Sequence, residues 1–324
     1  MKKVIVLLLL TAVMLLGGNF LAPAQAQSPA NDLKPTFISP TPGLYVNGWP
    51  PFTVSYPKEL TEIPPAGPGC VLMAARISPD SYPATVLSIA VFPNPLPLEE
   101  WAKGHMPLWL QLWTDFKVLS DKPSQLKDGT PAREVEFEFV PKPGGTLGSS
   151  TITDARKNYG LLLMTKKDVT SVEVLLSDVR GKLGEDLRGV AYSLTFLPGR
   201  EEPVQVPPDI RAFFDMWCTD SVSHDLKTVM AHFSVRFRQS GMSKAFLQQV
   251  FRDPQFPLSP ARQSLISCET TVTVFEPRGD KAYVDGFVLN TDKVKGGTTA
   301  LKIPIGFQQI INEHGEWRWF GNQK

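Results

Sequence analysis

Cysteine is scarce in this chain: Cys70, Cys218 and Cys268 are the only three in 324 residues. Three thiols cannot hold together a scaffold built on disulfides. None forms a CxxC pair or a Cys/His group at zinc-ligand spacing. Histidine is nearly as scarce, with four. No GxSxG elbow and no obvious Cys–His pairing is present, so no nucleophilic triad can be read from the chain. No metal or cofactor motif is found, and neither group is expected. One-signed charge is missing as well: 33 basic residues stand against 32 acidic ones. Such a balance lacks the field that draws a protein to nucleic acid or to anionic lipid, and the short Arg236/Arg238 cluster does not supply it. Beyond residue 26 no stretch approaches 18 consecutive apolar residues, so no membrane span is expected after that point.

What is present begins with a signal for export. Lys2 and Lys3 precede an apolar run, Val4 to Leu16, interrupted only by Thr11 and ended by Gly17 and Gly18. Ala24-Gln25-Ala26 places small residues where a signal peptidase reads them, so residues 1–26 are expected to be removed before Gln27. No cysteine follows the run closely, which argues against lipoprotein processing. Removing the two signal lysines leaves 31 basic against 32 acidic residues. The expected compartment is the periplasm in preference to the medium. In that oxidising setting Cys218 and Cys268, in the same half of the chain, are the best candidates for one disulfide. Cys70 then stands alone, as a small buried residue rather than a nucleophile.

Two stretches divide the remainder. Residues 27–42 are rich in Pro, Ser and Asn and read as a flexible leader. Residues 199–208 lie in PGREEPVQVPP, whose four prolines in eleven residues sustain neither helix nor central strand. The domains are therefore placed at 43–198 and 209–324. In the first, FTVSYP, Val71 to Ile77 and Ala84 to Phe92 read as strands. A helix is expected from Pro97, kinked or split at Pro107. In AREVEFEF, Val135, Phe137 and Phe139 alternate with Glu134, Glu136 and Glu138, the mark of a half-buried antiparallel strand. Leu183 to Tyr192 suggests a closing helix. These features, with the Asp128-Gly129 turn and the closing SLTF, resemble the PsbP-like family. The resemblance implies an α+β domain, an antiparallel sheet with helices on one face.

The second domain opens on helices. Ile210, Phe213, Phe214 and Trp217 fall at i, i+3, i+4 and i+7. Ser223 is expected to cap a second helix, and Ser243 to Phe251 reads as a third. The period then shortens. Ser264 to Phe275, Lys281 to Leu289, Thr299 to Ile311 and Trp317 to Phe320 read as four strands, with turns at Gly279, Gly296 and Gly315. FFDMWCTDSVSHDLKTVMAHFS, GDKAYVDGFV and INEHGEWRWFGNQK resemble the nuclear transport factor 2-like superfamily and its SnoaL-like branch. That resemblance implies a cone, a curved sheet wrapped around helices and enclosing a pocket. Its members include isomerases, dehydratases and proteins that only bind or dimerise, so the fold does not fix an activity.

If the cone holds a pocket, acid–base work there needs a polar group facing inward. Asp285, His232 and Asp215 are the candidates. Asp285 shares a strand face with Tyr283 and Phe287, His232 lies beside the apolar stripe, and Asp215 is one residue off it. Phe213, Trp217, Tyr283, Phe287 and Phe307 are the candidate ligand wall. Trp317 and Trp319 share a strand face and are expected to be buried, or to meet a partner, together. His105 and His314 are expected on the surface. The chain thus reads as an exported, non-catalytic binding or assembly factor of the cell envelope. Its expected partner is a small apolar ligand, an envelope protein, or a second copy paired through the C-terminal sheet. A lyase or isomerase acting in the cone is the alternative.

Overall fold

A computed structural model describes residues 43–323 apart from 64–68, 143–145, 148–149, 152–154, 182, 199–201, 240–241, 255–257 and 307. The expected signal and leader lie outside the described residues. So does Phe307. The chain is α+β, built of two domains around separate antiparallel sheets.

The first domain contains β1 (Leu44–Asn47), β2 (Phe52–Ser55), β3 (Thr61–Glu62), β4 (Cys70–Ile77) and β5 (Pro83–Pro93). Helix α1 (Leu98–Leu112) leads into β6 (Trp113–Gln125) and β7 (Pro131–Pro141). A short hairpin, β8 (Thr146–Leu147) and β9 (Ser150–Thr151), precedes β10 (Asn158–Lys167) and β11 (Thr170–Asp178). The domain closes with α2 (Glu185–Ala191) and β12 (Thr195–Phe196). Seven strands form the main sheet in the order β3-β4-β5-β11-β10-β7-β6, while β1, β2 and β12 make a small second sheet.

The helices divide between the two faces of the main sheet instead of sharing one. Trp101 and Ala102 of α1 pack with Val135, Phe137, Phe139, Leu162 and Met164. Val190 and Ala191 of α2 join Leu161, Leu163, Val174 and the small sheet on the opposite side. The reason lies in β10, where Leu161 to Met164 are all buried, so both of its faces need cover. Glu134 is therefore not a solvent-facing residue. It is 2 % exposed and held by Lys122 Nζ and Arg188 Nη1, each at 3.0 Å, and by the Tyr192 hydroxyl. Burial pushes its carboxyl upward, but the bonds from Tyr192 and Lys122 win and hold it below its ordinary value. Pro107 does not split α1, which runs through it; a proline removes one helical hydrogen bond, and packing of the helix supports the rest.

The second domain begins with α3 (Pro208–Val222), entered through Pro207 and Pro208, whose fixed φ suits a first helical turn. Next come α4 (Leu226–Ala231), β13 (Arg238–Gln239), β14 (Met242–Ser243) and α5 (Lys244–Val250). The cap of α4 is Asp225, whose side chain accepts from Lys227 N; Ser223 closes α3 instead. Strands β15 (Leu265–Arg278), β16 (Lys281–Val294), β17 (Gly297–Pro304), β18 (Gln308–Glu313) and β19 (Glu316–Gly321) complete the domain. The expected single strand over 299–311 is two, β17 and β18, both paired with β16 and separated after Pro304. In the path β15-β16-β18-β19 the first and last strands are far apart, yet both pack on α3. The sheet therefore curls around that helix. Register shifts at Leu265/Ser267, Val272/Val274 and Gln309/Ile310 supply local bending. A disulfide joins Cys218 of α3 to Cys268 of β15, with Cα atoms 5.1 Å apart.

Candidate functional site

The stripe on α3 delivers its side chains where its spacing predicts. Ile210, Phe213, Phe214 and Trp217 are all buried in the core between α3 and the curved sheet. The three aromatic members surround Trp319 of β19, whose ring centroid lies 5.5 Å from Phe213, 5.4 Å from Phe214 and 5.3 Å from Trp217. Backbone bonds fix Trp319 in place: its N donates to His232 O and its O accepts from Ser234 N. Trp317 lies on the same strand face, partly buried, and donates its indole N–H to Asp209 Oδ2 at 2.6 Å.

Two groups in this core are unsatisfied. Among the described residues the buried indole Nε1 atoms of Trp217 and Trp319 have no hydrogen-bond partner. The two rings meet at 75°, edge to face. In that arrangement only one N–H can point at the other ring, so the weak N–H···π contact relieves at most one of them. A buried donor left unpaired costs about 1–3 kcal/mol. Ser221, the nearby polar residue of α3, spends its hydroxyl on Trp217 O.

His232 stands at the edge of the same cluster. Its ring is 6.0 Å from Phe213, and its Nε2 lies 2.6 Å from Asp220 Oδ2. The side chains are 14 % and 34 % exposed, so the pair sits between core and solvent. A carboxylate that orients an imidazole is the base half of a catalytic triad. Among the described residues no nucleophile bonds the other ring nitrogen. Asp215 stays out: its side chain is 64 % exposed and lies 3.7 Å from Arg211.

Asp285 is buried, but not in the core beside α3. Ala282, Val284 and Val288 of β16 face that core. Tyr283, Asp285 and Phe287 share the other face, which meets the first domain. Asp285 Oδ1 accepts from Gly286 N at 2.7 Å and Gly306 N at 3.1 Å. Its carboxyl group also abuts Gly48. Trp49 packs on Phe287 with centroids 4.8 Å apart and the rings tilted by 42°, while Lys302 Nζ lies 4.7 Å from the same ring. Burial first, and the Asp285 charge second, push the Tyr45 phenol well above its ordinary value, so it remains a donor to Asn47 Oδ1. The structure thus separates the expected ligand wall: Phe213 and Trp217 line the α3 core, Phe287 meets Trp49 at the domain junction, and Tyr283 is half-buried on the same strand face as Phe287. Gly48 and Trp49 of the same chain cover the sheet at Asp285 and Phe287. Gly48→Ala tests the junction. A Cβ there overlaps the Asp285 carboxyl group. The variant should lose roughly 1–3 kcal/mol, as overpacking does, and its single thermal transition should broaden or divide. An unchanged, single transition would refute a tight junction.

The reading of His105 as a surface residue is overturned. His105 and Glu173 are each 2 % exposed, with Nε2 and Oε2 3.1 Å apart. Trp101 Nε1 donates to Glu173 Oε1 at 3.1 Å and its ring stacks on His105 at 4.8 Å. The signal was present: Trp101 and His105 are i, i+4 on α1, and Glu173 interrupts an apolar strand. Among the described residues no group of three His, Cys, Asp or Glu side chains gathers as metal ligands do, and no helix is long and apolar enough to cross a membrane.

No family model and no curated protein matches the chain. Similar solved structures include the cyanobacterial PsbP of Synechocystis sp. PCC 6803, at 12% identity over 54% of this chain and 100% of that one, with a TM-score of 0.36. Another is a protein of unknown function from Mycobacterium tuberculosis, at 18% identity, 35% and 70% coverage and a TM-score of 0.29. A third is an Ntf2-like protein involved in plasmid conjugation, at 10% identity, 63% and 75% coverage and a TM-score of 0.22. These likenesses are too slight to carry a functional argument.

Proposed function

We propose that this chain is an exported binding or assembly factor of the cell envelope that holds a small, largely apolar ligand against the α3 face of its second domain. The observation that supports this reading is the pair of buried indole N–H groups, Trp217 and Trp319, without acceptors among the described residues. Native proteins leave few buried donors unpaired, and each exception asks for a reason. Water is a poor reason here, because a buried water needs about two to four polar partners, and the buried hydroxyls of Ser221 and Ser234 are already spent on Trp217 O and Glu313 Oε1. A bound molecule supplies an acceptor together with apolar surface.

Native mass spectrometry of the full-length product, purified from the envelope fraction without detergent, tests the proposal. The expected result is a population heavier than the polypeptide, lost on organic extraction. Bare polypeptide in every preparation would count against it. The lyase or isomerase reading keeps one supporting observation, the His232–Asp220 pair at the edge of Phe213. It requires the extracted molecule to be chemically changed by wild-type protein and left intact by His232→Ala. Recovery of the same intact molecule from both supports binding alone.

A further inference from the structure

Resting on that binding reading, we infer that the ligand is uncharged and presents a carbonyl or ether oxygen to the Trp217 and Trp319 indole N–H groups. The chemistry of the cluster narrows the choice. An indole N–H only donates, so a second donor on the ligand gains nothing from it. A pure hydrocarbon leaves both N–H groups as they are, at the cost of two unpaired buried donors. A carboxylate or phosphate offers acceptors but brings a charge into an apolar setting. Two neutral donors do not offset that desolvation, which calls for a buried cation. No Lys or Arg is among the fully buried described residues, and the buried acids of the second domain are bonded elsewhere, Asp285 to Gly286 N and Gly306 N and Asp292 to Arg262 and Ser264. Cations at the margin of the cluster are already engaged: Arg211 Nη1 donates to Thr270 O, and Lys244 Nζ to Phe233 O. His232 is taken up by Asp220. What remains is a neutral acceptor on an apolar body, such as a ketone, ester or cyclic ether.

Three probes of one shape separate these cases: acetophenone, benzoate and ethylbenzene. They are titrated into the export-processed full chain, delipidated and labelled with 15N at the tryptophan indoles, at pH 7. Acetophenone should move two indole N–H proton resonances downfield and bind at least about tenfold more tightly than benzoate, the equivalent of one charge-sensitive contact. The two resonances should be those missing from Trp217→Phe and Trp319→Phe. Should either variant not fold, cross-relaxation from the acetophenone methyl group to both indole protons identifies them in the unaltered chain. Ethylbenzene binding as tightly as acetophenone, with no downfield shift from either, would overturn the inference and leave the binding reading intact. Preference for benzoate would do the same. If no probe binds although a native adduct is seen by mass spectrometry, the inference falls alone. If no probe binds and no adduct is seen, both fall.

Discussion

Replacing Cys218 and Cys268 together by alanine should lower the unfolding temperature of the second domain by on the order of 10 °C. The bond spans 50 positions and ties α3 to the strand at one end of the curled sheet. Opening a loop of that length frees the unfolded chain. The chain-entropy estimate is about 4 kcal/mol, and native disulfides commonly contribute about 2–4 kcal/mol. Each kcal/mol moves the midpoint of a domain of this size by roughly 4 °C. The loss is concentrated where the bond sits, because α3 has no other covalent tie to the sheet that wraps it. Cys218 is 5% exposed, so reductant should act slowly on the folded protein and quickly once the domain opens. Calorimetry of the wild type with and without reductant, beside the double variant, reads the effect. The reduced wild type and the variant should coincide. Equal midpoints for oxidised and fully reduced protein, with free thiols counted, would show that the bond adds nothing to stability.

How far the sequence revealed this arrangement depends on how local each signal is. The α3 stripe needs only the 3.6-residue period, and Phe213, Phe214 and Trp217 are buried accordingly. The alternation in β7 likewise places Val135, Phe137 and Phe139 in one cluster. Strand β6 has no such signal. It is the edge strand of the seven, most of its residues are exposed, and its charges and Pro123 are what an edge tolerates. For Asp285 the period of two correctly groups it with Tyr283 and Phe287 but cannot say which face is the interior. Both faces of β16 are buried at that point, since Val284, Asp285 and Gly286 are buried in succession. Only the packing of Gly48 and Trp49, more than 230 positions away in the chain, decides the matter. The expectation of helices on one face of the first-domain sheet fails for a related reason. A run such as Leu161 to Met164 reads as apolar without telling how many layers cover it. Unsatisfied donors such as those of Trp217 and Trp319 are invisible to pattern altogether, because satisfaction is a property of neighbours.

The His105–Glu173 pair gives the other large effect. Glu173→Leu should destabilise the first domain by roughly 3–5 kcal/mol, because it removes the acceptor of the Trp101 N–H and the carboxylate that lies 3.1 Å from the buried His105 ring. His105→Phe should cost a comparable amount, since Glu173 then keeps only the Trp101 bond in a site 2% exposed. The double variant is the informative one. With both polar groups replaced by apolar side chains on the same stacked ring of Trp101, no charge remains to be desolvated. Its loss should be smaller than the sum of the two single losses by about 2 kcal/mol, within the range of coupling seen for buried neighbours. Denaturant titrations of the four proteins, with equal m-values confirming a common unfolding reaction, measure that coupling. A sum additive to within about 0.5 kcal/mol would mean that the two side chains do not act as a pair. The same cycle separates structure from function. A pair that only holds α1 to the sheet should leave the ligand-dependent mass increment of the second domain unchanged in the double variant. A pair that serves binding should not.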